Sequence, residues 1–374
     1  MTWNRNRLTE KLGIDYPIIQ GPLGGLSSQR LTAAVSNFGG LGSFGALSLS
    51  PEEIKNVIPQ IRTLTSKPFA LNLWVSTEDD GARSSDGAAF NRSLSPLESY
   101  FAELKVTLPH YKSYSPIRFE DQVRVLLDER VPVFSFIFGI PPKEILDECR
   151  AKSIVTIGTA TTPDEAVALQ EAGVDAIVAS GFEAGGHRGS FLRAAEDSVT
   201  GTFSLIPRIA DVVEAPVIAA GGIADARGVI AAFALGAEAV QMGTAFLTCE
   251  ESGASRIHRE ALMQRKAEYT GLTKAFTGRL ARGIQNRLMS ELAQERAEIL
   301  PYPLQRMLVR NLSIAAEAAD RADLMPLWAG QSASLSTCTE VSVFLNSLVE
   351  EVSEIAGPIV QWNEKRRHKK SKRP

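Results

Sequence analysis

Eight short apolar segments recur between residues 17 and 246, and stretches with helical periodicity lie between most of them. The segments are continuously apolar rather than alternating, which is typical of parallel strands buried on both faces. Eight β/α units in one chain favour a TIM (β/α)8 barrel, an α/β fold, over the alternative of a doubly wound open sheet. We predict strands at 17–20, 41–44, 69–75, 131–138, 154–159, 176–180, 217–220 and 239–246.

The sequence between these strands carries helix signals. Ser50 and Thr162 are each followed by a proline and two acidic residues, which is typical of a helix start. Gly173 and Gly236 stand where helix ends are expected. We predict helices at 28–37, 51–64, 117–129, 143–151, 163–172, 203–213 and 225–235.

Two segments do not fit the β/α repeat. Residues 76–115 are polar, with scattered Gly, Ser and Pro, and they follow the third strand, so we expect an insertion or lid at the C-terminal face of the barrel. Residues 253–356 follow the eighth strand and read as mainly helical, as a cap over the barrel or a dimerisation element. We therefore predict a barrel at 1–252, a helical extension at 253–356 and a basic tail at 357–374.

Charge is unevenly distributed along the chain. The last ten residues hold seven Lys or Arg and no acid, whereas the whole chain has a formal net charge of −3. The remainder is therefore acidic, at −10, which argues against a nucleic-acid-binding protein. A basic tail could bind RNA or an anionic membrane, but we expect a solvated chain end without stable membrane association.

The composition is that of a globular protein, with 44% hydrophobic and 22% charged residues. No apolar run approaches the ~20 residues that a membrane-spanning helix needs, and the first residues lack the apolar core of a signal peptide. Cys149, Cys249 and Cys338 form no CxxC pair, so we expect neither a disulfide framework nor a cysteine-rich zinc site. These features predict a cytoplasmic protein.

Glycines at the strand ends indicate where a ligand binds, since the chemistry of a TIM barrel lies where strands end and βα loops begin. Glycine-rich sequence follows the first and sixth to eighth predicted strands. Glycine lets the backbone approach a ligand closely and turn N–H groups toward an anion. Phosphate often binds after strands seven and eight, where Gly221-Gly222 and Gly243-Thr244 stand, so we predict a phosphate site there.

A GxGxxG match at residues 40–45 is not interpreted as a dinucleotide site. That motif follows a strand and opens a helix, whereas residues 40–45 follow a predicted helix and contain a predicted strand. We interpret these glycines as backbone packing within a small barrel strand.

Histidine is scarce, and one of the four stands out. His187 follows two glycines at the predicted active face, where an imidazole can act as a general acid or base near neutral pH. His110, His258 and His368 read as surface residues. There is no HExxH motif and no second histidine at ligand spacing from His187, so we predict no metal site.

Four segments together resemble the FMN-dependent nitronate monooxygenases, formerly called 2-nitropropane dioxygenases. They are residues 16–22, 181–189, 216–223 and 240–246, and Trp-Ala-Gly-Gln at 328–331 resembles a further short motif of that family. The resemblance extends from about residue 8 to residue 332. As a set these motifs are specific, although the Gly-Gly-Ile and Met-Gly-Thr pieces occur singly in other phosphate-binding barrels.

The resemblance implies roles for individual residues. His187 matches the active-site histidine of the family. Leu23 stands where the family usually has Met, and Ser180 stands where many members have Gln, so that Ser180 would reach a flavin through water. The implied FMN-binding residues are Pro22, Leu23, Gly24, Asn72, Ser180, Gly185, Gly221, Gly222, Gln241, Met242, Gly243 and Thr244.

The activity implied by the resemblance is oxidation of an alkyl nitronate by FMN and O2, without a nicotinamide, to a carbonyl compound and nitrite. His187 would orient and charge-balance the nitronate, or take the α-proton of a neutral nitroalkane. The partners are then a small nitronate or nitroalkane and O2, in a protein that could form a homodimer. Tyr302 and Trp328 are candidate pocket walls.

Two other functions stay open. FMN-dependent NAD(P)H enoyl reductases or quinone reductases of the same superfamily share the Gly-Gly-His turn and similar phosphate loops. A non-catalytic flavin-binding protein that acts through the basic tail is a more remote alternative.

Overall fold

The computed structural model describes residues 3–112 and 117–356. The predicted basic tail and His368 lie outside the described residues. The strands, in chain order, are β1 (Ile18–Gln20), β2 (Gly42–Gly45), β3 (Phe69–Trp74), β4 (Val133–Ile137), β5 (Val155–Ala160), β6 (Ala176–Ser180), β7 (Gly186–His187), β8 (Val217–Ala220), β9 (Ala239–Met242), β10 (Thr270–Thr273) and β11 (Ala281–Ile284).

The α-helices of the described residues are also numbered in chain order. They are α1 (Arg7–Leu12), α2 (Gln29–Phe38), α3 (Pro51–Leu64), α4 (Gly87–Leu94), α5 (Glu98–Glu103), α6 (Phe119–Asp128), α7 (Lys143–Ala151), α8 (Pro163–Glu171), α9 (Thr202–Val212), α10 (Ala226–Ala234), α11 (Thr244–Leu247), α12 (Arg256–Met263), α13 (Arg287–Gln294), α14 (Leu304–Ala318) and α15 (Val341–Ile355). None of them is long and apolar enough to span a bilayer.

Eight parallel strands form the main sheet, in the order β1-β9-β8-β6-β5-β4-β3-β2. Its two ends meet, because the Gln20 N–H donates to the Leu41 carbonyl at 2.9 Å and the Leu41 N–H donates to the Ile18 carbonyl at 3.0 Å. Ile19 and Leu41 form a parallel bridge at the same place. The TIM-barrel prediction is therefore confirmed, and the open-sheet alternative is wrong.

All eight predicted strands are present, but two are shorter than expected by three or four residues. The strand predicted at 131–138 ends at Ile137, because Phe138 adopts a left-handed φ of 64° and turns the chain. The strand predicted at 239–246 ends at Met242, and the apolar residues after Gly243 form the helical turn α11 instead. A short apolar run does not by itself distinguish a strand from a buried helix.

The seven predicted helices form as α2, α3 and α6 to α10, with bounds that differ from the prediction by no more than two residues. The predicted start signals act as expected. Ser50 and Glu53 form a reciprocal capping box at the start of α3, and the Thr162 side chain accepts a hydrogen bond from the Glu165 N–H at the start of α8.

The segment after residue 253 is less uniformly helical than expected. β10 and β11 form an antiparallel hairpin, and β7, from the loop after β6, adds a third strand with Ala281 opposite His187. These strands are only four or two residues long, so the hairpin gives too little alternation to be recognised in the sequence.

α15 returns from the extension to the barrel and packs against α10 and α2. Its apolar face joins the core between sheet and helices through Val341, Phe344, Leu345, Leu348 and Val352. The helix that directly follows β9, α11, is a single turn. α15 therefore takes the place of the eighth helix in the outer ring of the barrel. The division of the chain at residue 252 stays a proposal.

The insertion after β3 contains α4 and α5, which pack with the extension rather than with the barrel. Phe90, Leu97 and Phe101 lie in one buried cluster with Leu308 and Leu312 of α14. Insertion and extension together therefore form a second apolar core beside the mouth of the barrel.

The position of α15 generates a stability prediction. Leu345 is fully buried, so Leu345→Ala should lower the free energy of unfolding by about 2–5 kcal/mol. Val343 lies on the same helix and is 53% exposed, so Val343→Ala should change it by less than about 0.5 kcal/mol. Urea unfolding of both variants measures the difference. Equal effects would show that α15 does not pack on the barrel as described.

Candidate active site

A cavity of about 630 Å³ lies at the C-terminal ends of the barrel strands, within the ~300–1,000 Å³ typical of small-molecule sites. The loops after the strands form its floor, and the extension contributes residues of α14 and of the segment from Met325 to Ala333 to its walls. Within the described residues, no group of three His, Cys, Asp or Glu side chains is placed to hold a metal ion.

The structure brings nearly all the predicted site residues together. The residues that line this cavity are Pro22, Leu23, Gly24, Asn72, Ser180, Gly185, His187, Gly221, Gly222, Gln241, Gly243 and Thr244. Met242 is the exception among the predicted residues, and its assignment to FMN stays a prediction. Its side chain is fully buried in the core outside the sheet, because successive residues of a strand point to opposite faces and Gln241 faces the cavity.

Glycines form the wall of the cavity after β8 and β9. Gly221 and Gly222 have left-handed φ values of 110° and 71°, and a Cβ on Gly221 would lie 2.9 Å from the Thr202 Oγ1. The extension covers this turn, since the Ser332 hydroxyl donates to the Gly222 carbonyl at 2.8 Å. A Cβ on Gly243 would meet only a Leu23 methyl group, at 3.4 Å. We call this wall the glycine cradle.

The first βα loop faces the same cavity with a strained backbone. Leu23 has a φ of 43°, which is uncommon for a residue with a side chain. The turn is held by hydrogen bonds from the Leu26 and Ser27 N–H groups to the Leu23 carbonyl, at 2.7 and 2.8 Å, and by the Ser27 hydroxyl, which bonds to the Pro22 carbonyl. Such strain clusters at ligand-binding sites.

His187 is held by the extension. Its Nε2 lies 2.9 Å from the Thr277 Oγ1, and the Thr277 hydroxyl donates to the Arg279 carbonyl at 3.2 Å. Because that hydroxyl has a single proton, this network assigns the proton of the neutral ring to Nε2. The Nδ1 of His187 then carries a lone pair to which no described residue donates a hydrogen bond.

Aromatic rings enclose the imidazole of His187. Its centroid lies 4.9 Å from Trp74 in an edge-on arrangement and 5.3 Å from Trp328. Tyr302 packs against Trp74 at 5.3 Å. Tyr302 and Trp328, the two predicted wall candidates, both line the cavity.

Arg279 is a buried arginine that contacts these aromatic rings and hydrogen-bonds to the insertion. The Arg279 Nε donates to Asp79 at 2.7 Å, and its other nitrogens donate to the carbonyl and hydroxyl of Ser76. The guanidinium carbon lies 4.2 Å from the ring centroid of Phe138 and 4.5 Å from that of Tyr302, distances typical of cation–π contacts. Arg279 was not found from the sequence, because nothing local marks a contact across 200 residues.

Burial, together with the positive charges of Arg279 and Arg306, lowers the pKa of His187 to about 3. The imidazole is therefore neutral at pH 7. This differs from the expectation that His187 balances the charge of an anion, and the positive charge beside this part of the cavity lies on arginines.

His258 was predicted to lie on the surface, and this was wrong. It is 1% exposed and lines the cavity, and its Nε2 bonds to the Trp328 carbonyl at 3.1 Å. His258 lies on the apolar face of its helix with Ile257, Ala261 and Leu262. The helical spacing of these apolar residues in the sequence is the signal that could have predicted its burial. His110 is exposed, as predicted.

A TIM barrel with a glycine-lined cavity at its C-terminal face, and with a half-buried imidazole in that cavity, has the small-molecule site typical of barrel enzymes. The family model described as nitronate monooxygenase matches residues 5–351. The chain therefore belongs to the nitronate monooxygenase family, a family of oxidoreductases.

Individual relatives agree with this assignment. A protein of Staphylococcus aureus (strain Newman) called probable nitronate monooxygenase is 43% identical over 354 residues, 94% of this chain and 99% of that protein. The structure of nitroalkane oxidase from Streptomyces ansochromogenes is similar with a TM-score of 0.84 at 35% identity, covering 93% of this chain and 98% of that one. FabK from Thermotoga maritima has a TM-score of 0.74 at 28% identity, covering 96% and 99%.

The burial of His258 predicts a pH effect on stability. Burial lowers its pKa to about 4, so below pH 6.5 the unfolded chain takes up a proton that the folded protein does not. The free energy of unfolding therefore decreases as the pH falls from 6.5 toward 4, by up to about 1.4 kcal/mol per pH unit.

Urea unfolding at pH 6.5, 5.5 and 4.5 measures this dependence. His258→Gln, which does not titrate, should be less sensitive to pH than the unmodified protein by that amount. His110→Gln, at an exposed position, should retain the full dependence. If His258→Gln and the unmodified protein respond alike to pH, His258 is not buried in neutral form.

Proposed function

We propose that the protein oxidises alkyl nitronates to a carbonyl compound and nitrite, with FMN bound in the cavity and O2 as the oxidant. The observation that carries the proposal is that the glycine cradle and His187 line one cavity. Membership of the nitronate monooxygenase family supports the same reaction. Two nitronate ions and one O2 molecule balance two carbonyl molecules and two nitrite ions.

The residues present fit FMN. At Gly243 the glycine cradle leaves room for part of a phosphate or a ribityl chain, since nothing but a Leu23 methyl group lies within 4 Å of a Cβ built there. At the floor, the Asn72 Nδ2 donates to the Ser135 hydroxyl at 3.0 Å, which leaves the Asn72 Oδ1 as an acceptor. In this proposal Asn72, Ser180, Gln241 and the strained backbone at Leu23 contact the flavin ring and its side chain.

When bound, FMN supplies the redox chemistry, taking an electron from the nitronate and delivering electrons to O2. His187 supplies a neutral imidazole whose Nδ1 lone pair lies beside the substrate. An imidazole with a pKa near 3 is a weak base, so it removes the α-proton of a neutral nitroalkane inefficiently. The substrate form that suits the site is therefore the nitronate, which has already lost that proton.

This reasoning predicts a strong preference for the ionised substrate. FMN-loaded protein, without NAD(P)H, should consume O2 and release nitrite on addition of an alkyl nitronate. The parent nitroalkane, added at a pH where it stays protonated, should react at least about 100-fold more slowly because His187 is a weak base. Oxygen uptake and nitrite assays measure both rates. No oxygen uptake with the nitronate, from protein whose spectrum shows bound flavin, would refute the proposal.

A second candidate function is reduction by NAD(P)H. The similarity to FabK over 96% of the chain supports this candidate. The sequence analysis likewise left open an enoyl or quinone reductase. NAD(P)H oxidation on addition of an enoyl thioester or a quinone, without reaction of nitronates, would assign this function. A homodimer and a cytoplasmic location stay predictions from the sequence.

The glycine cradle predicts a variant that binds FMN more weakly and keeps the fold. Gly243 has a φ of −108°, which any residue can adopt, so Gly243→Ala should fold normally. Its methyl group would occupy the space proposed for FMN and weaken FMN binding by about 10-fold or more. Gly87→Ala is the control, because its Cβ would lie 3.9 Å from Tyr111, away from the cavity. Fluorescence titration with FMN measures both affinities, and equal affinities would place the flavin elsewhere.

A further inference from the structure

One face of α14 forms a wall of the cavity. Its other face is buried in the second apolar core through Leu304, Leu308, Val309 and Leu312. The side chains turned to the cavity recur at helical spacing, so they form one row along the helix. That row is Arg306, Arg310, Ser313, Ile314 and Glu317.

Arg306 and Arg310 are the only arginine or lysine side chains that line the cavity within the described residues. The single hydrogen bond of Arg306 to a described residue is a long one, 3.4 Å from Nη1 to the Tyr302 hydroxyl. The remaining N–H groups of its guanidinium are available to a ligand. Arg279 differs, because its three nitrogens are all bonded to Asp79 and Ser76.

Arg306 stands at the end of the cavity that holds His187. Tyr302, to which it bonds, packs on Trp74, and Trp74 packs on His187. Trp74 ends β3, which lies four strands from β8 in the ring of eight. Arg306 and the glycine cradle thus lie on opposite sides of the barrel mouth, so an anion at Arg306 is not the cofactor phosphate.

We infer that Arg306 binds the nitronate directly, with its guanidinium paired to the two nitronate oxygens. This assignment rests on the proposed function and names the residue that holds its substrate. A nitronate is planar and shares one negative charge between two oxygens, as a carboxylate does. An arginine fork matches that arrangement with two parallel N–H···O bonds.

The charges around His187 explain why an arginine is needed. The groups that face the imidazole are Thr277, Trp74 and Trp328 by contact, with Arg279 and Arg306 acting through their charge. The imidazole itself is neutral, so it cannot supply the positive charge that an anion requires in a partly enclosed site. Arg279 adds to the positive field but has no nitrogen left to bind a substrate oxygen.

The test compares two arginines on the same helix. Arg306→Met and Arg310→Met remove the same charge one turn apart, and of the two arginines only Arg306 contributes to the lowered pKa of His187. Nitrite is the probe, because it presents two oxygens and one negative charge and needs no turnover. Calorimetric titration of the FMN-loaded protein should show nitrite binding weakened about 10–100-fold in Arg306→Met and less than about 3-fold in Arg310→Met.

One further variant and one added ion distinguish binding from a structural role. Arg306→Lys keeps the charge but not the fork, so it should retain part of the affinity for nitrite. Added guanidinium ion, below the concentration that unfolds the protein, should restore binding to Arg306→Met but not change Arg310→Met. A structural role would lower the unfolding midpoint of Arg306→Met and would not respond to guanidinium.

The outcomes separate this inference from the proposed function. Equal weakening in the two methionine variants, or none in Arg306→Met, would overturn the assignment of Arg306 even if the unmodified protein oxidises nitronates. Failure of the unmodified protein to oxidise nitronates, with the nitrite contrast intact, would reject the proposed function while retaining an anion site at Arg306.

Discussion

The pairing of β7 with β11 is the contact on which the site depends. It joins the loop after β6 to the extension and places Ala281 opposite His187, so that Thr277 bonds to the Nε2 of His187. The barrel supplies Trp74 on one side of the ring, and the extension supplies Trp328 on the other. The barrel alone would leave this histidine on an open loop.

The enclosure of His187 determines the charge of its imidazole and therefore which other groups supply positive charge to the cavity. Burial holds the imidazole neutral, so it offers a hydrogen-bonding lone pair rather than a charge. Positive charge is supplied by arginines of the extension, and backbone groups at the ends of β8 and β9 form the glycine cradle on the far side. In the proposed function, the glycine cradle holds the phosphate, His187 accepts a hydrogen bond and Arg306 supplies the positive charge.

Local patterns in the sequence predicted the barrel and most of the cavity floor, because apolar runs and strand-end glycines are properties of short segments. The outward direction of the Met242 side chain was not predicted, since a motif carries no information about which of two adjacent residues faces inward. His258 was wrongly predicted to lie on the surface because charged residues flank it in the sequence. Arg279 could not be predicted, since its partner Asp79 lies 200 residues away in the sequence. Arg306 could not be predicted either, since a surface arginine on an amphipathic helix gives the same local pattern.

The central claim is that His187 is a neutral, Nε2-protonated imidazole beside positively charged arginines. NMR of the imidazole signals tests it most directly, because the chain has only four histidines and a His187→Asn variant identifies the relevant signal. The account predicts that the His187 shifts stay those of the neutral Nε2–H form from pH 8 down to pH 5. A titration of His187 with a midpoint near 6.5, the ordinary pKa of histidine, would contradict it.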